Sequence, residues 1–203
     1  MTDPLRWLAI GFAGYLIGSL PFAVWVGRVA ARKDVREAGS GHAGATNVMR
    51  QAGWLAGLVT LALDGSKGVM AVLLAHWAGG PWAIPLAAGM AVAGHCWPVL
   101  AGFRGGMGMA TAAGAVLAAH PLALVMAVGV GAACNLGLRH TARANLLTGL
   151  LIGPILVVAG VPSLAAQIAI AVGAVVALRG LSDWDRVYRE LWLDRDPPIP
   201  RQG

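Results

Sequence analysis

Residues 53–78 read GWLAGLVTLALDGSKGVMAVLLAHWA, and this stretch decides the fold. A helix that crosses a bilayer takes about 20 mostly apolar residues, and this run supplies them. Its one acid and one lysine, Asp64 and Lys67, stand three residues apart. They therefore share a helix face and can neutralise each other. Comparable runs lie at about 5–28, 81–101, 108–119, 121–138, 145–160 and 163–179, which makes seven. The run at 108–119 is short and reads as a half-helix or a tilted one. Helix stops separate several of them: Gly79-Gly80-Pro81, His120-Pro121 and Gly160-Val161-Pro162. Ser19-Leu20-Pro21 is expected to kink the first.

Composition agrees. Of 203 residues, 58% are hydrophobic and only 12% charged, where soluble domains carry about 25% charged residues. With 29 Gly and three Phe, the helices are expected to pack closely through small residues. Cys96 and Cys134 fall in apolar runs and read as free thiols. The first run starts at once and is too long for a cleavable signal peptide, so it is expected to remain as a span. The fold class is all-α, a polytopic membrane bundle of about seven helices.

Charge sets the orientation. Arg28, Arg32, Lys33, Arg36, Arg50, Arg104, Arg139, Arg143, Arg179, Arg186, Arg189, Arg195 and Arg201 fall on one side of a seven-span scheme. Of the 15 basic residues only Arg6 falls on the other, with Lys67 inside a span. Positive loops stay cytoplasmic. The expected topology has the amino terminus outside and the carboxyl terminus cytoplasmic. The net charge of +6 thus has a topological cause and is no sign of nucleic-acid binding. Residues 1–180 read as the membrane domain and 181–203 as a polar cytoplasmic tail. In the tail, Trp184, Tyr188 and Trp192 recur at helical spacing and suit the membrane surface.

Two glycine-rich blocks then face the cytoplasm, GSGHAGATNVMR at 39–50 and FRGGMGMAT at 103–111. Glycine lets successive backbone N–H groups turn toward one point, and such loops bind anions, phosphate above all. Ser40, Thr46, Asn47 and Arg50 add donors to the first block; Arg104 is the only charge of the second. The plain alternatives are a turn leading into a capped helix and a small-residue bend. No Lys-Ser or Lys-Thr follows a Gly-x-x-x-x-Gly, so neither block is a nucleotide P-loop. Asp64 and Lys67 fit a structural pair as well as a catalytic one. His95 fits a ligand contact or a hydrogen-bonded core histidine. No His/Cys cluster has zinc spacing and no Gly-x-Ser-x-Gly elbow occurs. No metal or cofactor is expected.

Taken together, YLIGSLP (15–21), the block at 39–50, LDGSKG (63–68), and GHCWP (94–98) running into 103–111 resemble the bacterial acyl-phosphate:glycerol-3-phosphate acyltransferase family, in that family's order. The likeness extends from about Tyr15 to Arg186. It implies a multi-pass protein of the bacterial cell (inner or plasma) membrane. It further implies acyl transfer from acyl phosphate to the sn-1 hydroxyl of glycerol 3-phosphate, giving lysophosphatidate and phosphate. Together with the donors of the two blocks, this places catalysis at Ser40, Arg50 and Arg104. Substrate binding falls to Gly41, His42, Thr46, Asn47, His95, Gly105, Gly106, Gly108 and Thr111. No histidine is followed five residues on by Asp, so the His-x4-Asp signature of the soluble-type glycerolipid acyltransferases is missing. The chain departs from the family at His42, where Asn is usual, and at Met107, where Lys is. Near the end, Asp183 stands in a segment where the family carries a His and an Asn. Two alternatives therefore stand beside the enzyme: a paralogue that binds a lipid phosphate without transfer, and a transporter of a phosphorylated metabolite. No internal repeat supports the transporter.

Overall fold

The computed structural model describes residues 4–80 and 82–186. Among them the regular structure is helical throughout, in nine α-helices. These are α1 (Pro4–Gly18), α2 (Phe22–Ala31), α3 (Ala45–Ala52), α4 (Trp54–Ala78), α5 (Ala83–Cys96), α6 (Met109–Ala119), α7 (Pro121–Leu138), α8 (Thr141–Val158) and α9 (Ser163–Ser182). Six stretches are long and apolar enough to cross a membrane, counting α1–α2 together as Pro4–Ala31. The expected fourth span is α6, only 11 residues long.

The kink at Ser19-Leu20-Pro21 is a full break between α1 and α2. Proline lacks the N–H that would continue the ladder, and the Ser19 hydroxyl donates back to the Tyr15 carbonyl. The first glycine block is half helical, for its residues 45–50 open α3, which runs on to Ala52. Gly53 then reverses the chain into α4 at φ +91, a conformation that side chains resist. Helix α8 begins at Thr141, earlier than the apolar run suggested. His140 caps it by accepting from the Arg143 N–H, and Arg143 lies over the Trp184 ring at 4.9 Å. A charge that interrupts hydrophobicity need not interrupt a helix. Trp184 is thus placed, while Tyr188, Trp192 and the rest of the tail from 187 lie outside the described residues.

Packing runs through small side chains, as the composition implied. Helix α8 lies along α9, α4 along α6, α1 along α5, and α5 against α9. At the α8–α9 crossing, a Cβ on either Gly149 or Gly173 would run into the other's carbonyl oxygen. Gly94 admits the Tyr15 carbonyl in the same way. The core they enclose includes Ile84, Val92, Cys96, Leu156, Ile168 and Val176. Both cysteines are free, Cys96 buried and Cys134 half-buried.

Candidate active site

The two glycine blocks are hydrogen-bonded to each other. The Ala43 N–H donates to the Gly105 carbonyl at 3.2 Å, and the Gly106 N–H to the His95 carbonyl at 3.2 Å. Arg36 ties them again from the side, donating to the Ala101 carbonyl at 2.7 Å. Arg36 also grips Asp34 at 2.7 Å. Its hydrogen bonds hold the Asp34 carboxyl far below the usual carboxylate range despite partial burial. Arg179, in the last turn of α9, donates to the Gly106 carbonyl at 3.2 Å.

Between these loops and the ends of α7 and α8 lies a cleft of about 390 Å³. Three helix N-termini converge on it: Gly44, Ala45 and Thr46 at the start of α3, Gly108 and Met109 at α6, and Thr141 at α8. The first N–H groups of a helix have no acceptor within it, and the dipole favours negative charge there. Gly108 enters α6 at φ +83, turning the second block into that helix. Arg50 lines the cleft, is exposed, and has no hydrogen-bond partner among the described residues. An open guanidinium beside three helix starts is an anion site on physical grounds alone.

Most of the expected residues are here. Ser40, His42, Thr46, Asn47, Arg50, His95 and Gly108 line the cleft. Asn47, however, braces the loop: its amide donates to the carbonyls of Val35 at 2.7 Å and His42 at 2.9 Å. Its oxygen accepts from Gln51 at 3.0 Å. Thr111 is fully buried, does not line the cleft, and donates to the Asp64 carbonyl, joining α6 to α4. Arg104 points elsewhere as well; it is exposed and reaches the Arg36 carbonyl at 3.4 Å. A neighbour of a glycine turn need not face the same way as the turn. Gly41, at φ +70, lies under Arg186. Gly105 and Gly106 act by lacking side chains: a Cβ on Gly105 would strike the His95 and Cys96 carbonyls, and one on Gly106 the His95 ring.

Met107 lines the cleft where a lysine would bring charge, so Arg50 is the one lysine or arginine among the described residues in its lining. His42 and Asp183, two of the departures, meet at 2.7 Å. Asp64 and His95 form part of the lining, with Lys67 behind them. The sequence reading missed Asn135, Thr141 and Asn145. Asn145 is buried, and its amide nitrogen has no hydrogen-bond partner. A lone amide early in an apolar run was the available signal, since a buried polar group wants a partner. A second, apolar crevice runs between α6, α7, α8 and α9, lined by Ala112, Leu124, Ile152 and Val176; Met109 borders both spaces. No cluster of metal ligands occurs among the described residues.

Helices long and apolar enough to cross a membrane, gathered around an anion-type cleft, define a multi-pass membrane protein. Residues 8–190 match the family described as glycerol-3-phosphate acyltransferase, and the chain belongs to it. It is 51% identical over 121 residues to the glycerol-3-phosphate acyltransferase 2 of Moorella thermoacetica, covering 60% of this chain and 62% of that one. It is 49% identical over 121 residues to the glycerol-3-phosphate acyltransferase of Roseobacter denitrificans, covering 60% and 58%. The matched segment thus spans somewhat under two thirds of these relatives. Crystal structures of PlsY (YgiH), an integral membrane glycerol 3-phosphate acyltransferase, resemble it over 89% of this chain and 90% of theirs. The glycerol 3-phosphate form has a TM-score of 0.72 at 33% identity, and the lysophosphatidic acid form 0.71 at 32%.

Proposed function

We propose that the chain transfers an acyl group from acyl phosphate to the sn-1 hydroxyl of glycerol 3-phosphate. The observation that carries this is the junction of two spaces. A phosphate-type cleft with three helix starts and Arg50 meets an apolar crevice at Met109. Acyl phosphate needs both, since its head is an anion and its tail an alkyl chain. It is a mixed anhydride and already activated. The hydroxyl oxygen attacks the acyl carbon, the ester C–O bond forms, and the bond from carbonyl carbon to phosphate oxygen breaks. The departing phosphate takes the hydroxyl proton. The protein's share is orientation and charge stabilisation, about 3–4 kcal/mol for one well-placed oxyanion donor. Membership of the acyltransferase family and the likeness to PlsY support the same reading.

The reaction belongs at the cytoplasmic face of a bacterial inner or plasma membrane, with the amino terminus outside. Residues 1–180 form the catalytic membrane unit and 181–203 its tail. One observation favours a second reading. Met107 places no charge in the cleft, which suits a paralogue that holds a lipid phosphate without transfer. The deciding experiment supplies purified protein with labelled glycerol 3-phosphate and, separately, acyl phosphate, acyl-CoA and acyl carrier protein. Lysophosphatidate formed with acyl phosphate supports the enzyme. Phosphate binding with no product from any donor supports the paralogue.

A further inference from the structure

Asp64 and His95 line the cleft with Lys67 behind them, and the transfer step above gives them no part. All three are at most 5% exposed. The Lys67 ammonium meets two hydrogen-bond acceptors, the Leu20 carbonyl and His95, and one ion-pair partner, Asp64, whose approach is off hydrogen-bond geometry. Asp64 Oδ1 lies 2.7 Å away, the Leu20 carbonyl at the α1–α2 break 3.1 Å, and His95 Nδ1 3.0 Å. The Phe22 ring faces the same nitrogen at 5.5 Å, as suits a cation. An ammonium only donates, so the imidazole nitrogen it touches must offer a lone pair. A neutral imidazole with Nδ1 as acceptor carries its proton on Nε2. Asp64 Oδ1 also approaches His95 Nδ1, but at 3.5 Å, which is too long to compete.

The other ring nitrogen is left open. His95 lines the cleft, and its hydrogen bonding among the described residues is through Nδ1, not Nε2. Gly106 keeps it so, because any Cβ there would run into Nε2. We propose that His95 is a hydrogen-bond donor of fixed tautomer, presenting Nε2–H to a negatively charged oxygen of the bound ligand. Lys67 sets the tautomer and Asp64 holds Lys67; both are positioning residues. This corrects the intuition that a histidine beside a hydroxyl nucleophile is its base: His95 has no lone pair facing the cleft. The ligand half of the inference rests on the phosphate-site reading. The tautomer half stands without it.

Two measurements test it. In the first, the protein is labelled with ¹⁵N-histidine in detergent at pH 7, and His95 is assigned by comparison with His95→Gln. The expected spectrum shows a neutral ring protonated at Nε2, and added inorganic phosphate or glycerol 3-phosphate shifts that N–H signal. Lys67→Met is expected to release the tautomer preference. A proton on Nδ1 would mean that Lys67 is an amine accepting from His95, and would overturn the proposal; so would an Nε2–H signal unmoved at saturating phosphate. This readout needs no turnover, so it stands even if acyl transfer is not found. In the second, His95→Gln keeps an amide donor near the Nε2 position and His95→Ala removes it. The glutamine variant is expected to stay within roughly tenfold of wild type, and alanine to fall by roughly 100-fold or more. A fall in kcat alone assigns the oxygen to the acyl carbonyl, and a rise in KM for glycerol 3-phosphate assigns it to phosphate. Equal losses for glutamine and alanine would overturn the donor role.

Discussion

His42 Nε2 lies 2.7 Å from Asp183 Oδ2, which fastens the first glycine block to the end of the last membrane helix. Arg179 and Arg186 reach the same carboxylate at 3.4 and 3.7 Å, and Arg186 also donates to the Ser40 carbonyl at 3.0 Å. One carboxylate thus gathers the groups that hold a cleft-lining loop against α9. The chain departs from its family's usual residues at both ends of this contact, and the two departures make one interaction.

The pair makes the loop sensitive to acid. Burial pushes the His42 pKa below the ordinary histidine value, against the pull of Asp183. Burial alone would raise Asp183, but His42, Arg179 and Arg186 hold it below the usual carboxylate range. Both shifts have the same sign: on acidification the unfolded chain takes up protons before the folded one, so stability rises with pH. The histidine contribution is present above about pH 6.5 and is lost as pH falls through the lower folded value. The carboxylate contribution disappears at more acid pH. Thermal unfolding in detergent from pH 8 to 4 is expected to show this fall, and His42→Gln to remove its first part. A melting temperature that rises on acidification would refute the assignment.

Arg50 lines the cleft without a protein partner among the described residues, so its work is with the ligand. Arg50→Lys loses the two-pronged guanidinium geometry. It is expected to weaken glycerol 3-phosphate use by about 1–2 kcal/mol with unchanged melting temperature. Ser40 accepts from the His42 N–H at 3.4 Å, and Ser40→Ala is expected to cost less, about 0.5–1.5 kcal/mol. Steady-state kinetics beside melting curves check both; unchanged kinetics in the two variants would move the phosphate site elsewhere.

Met107→Lys adds a cation at the cleft wall. Phosphate-ligand affinity is expected to rise by about 1–3 kcal/mol for one charged hydrogen bond. Because Arg104 lies outside the cleft against the Arg36 carbonyl, the gain should be the same in an Arg104→Ala background. Calorimetric titration of both variants decides it, and dependence on Arg104 would show that the two positions share an anion.

The α8–α9 crossing has no room for a methyl group, since Gly149 meets the Gly173 carbonyl. Gly149→Ala must spread the helices and is expected to cost about 1–3 kcal/mol. Its melting temperature should drop, whereas the control Gly129→Ala, at a glycine with no neighbour within 4 Å, should not. Equal melting for the two would mean that the helices part freely.

Topology has its own check. Arg36 is occupied by Asp34 and Ala101, so the exposed neighbour Glu37 is the better probe. A Glu37→Cys protein lacking Cys96 and Cys134 should react with an impermeant reagent only after the cytoplasm is opened. Labelling in intact cells would invert the assignment.

The spans were legible because lipid imposes a length and a hydrophobicity that composition records directly. The kink at Pro21 and the stop at His120-Pro121 were also signalled locally, whereas the turn at Gly53 was not read. What composition could not give was direction. Arg104 and Arg50 look alike in sequence, yet only Arg50 faces the cleft. Asn47 and Thr111 look like ligand donors, yet the Asn47 amide and the Thr111 hydroxyl donate to carbonyls of the fold. Asn145 was hidden by its apolar neighbours, and the meeting of His42 with Asp183 spans 141 positions of chain. Contacts at that separation leave no mark in a local pattern.

The convergence of three helix starts on one cleft has a consequence for how this protein varies. Much of the attraction for anions is written in peptide groups, which every residue carries alike. Side chains around the cleft can therefore be exchanged, a methionine here or a histidine there, while the underlying field persists. An alanine scan of the lining would underestimate the site, because the part of it that matters to any anion is present in alanine too.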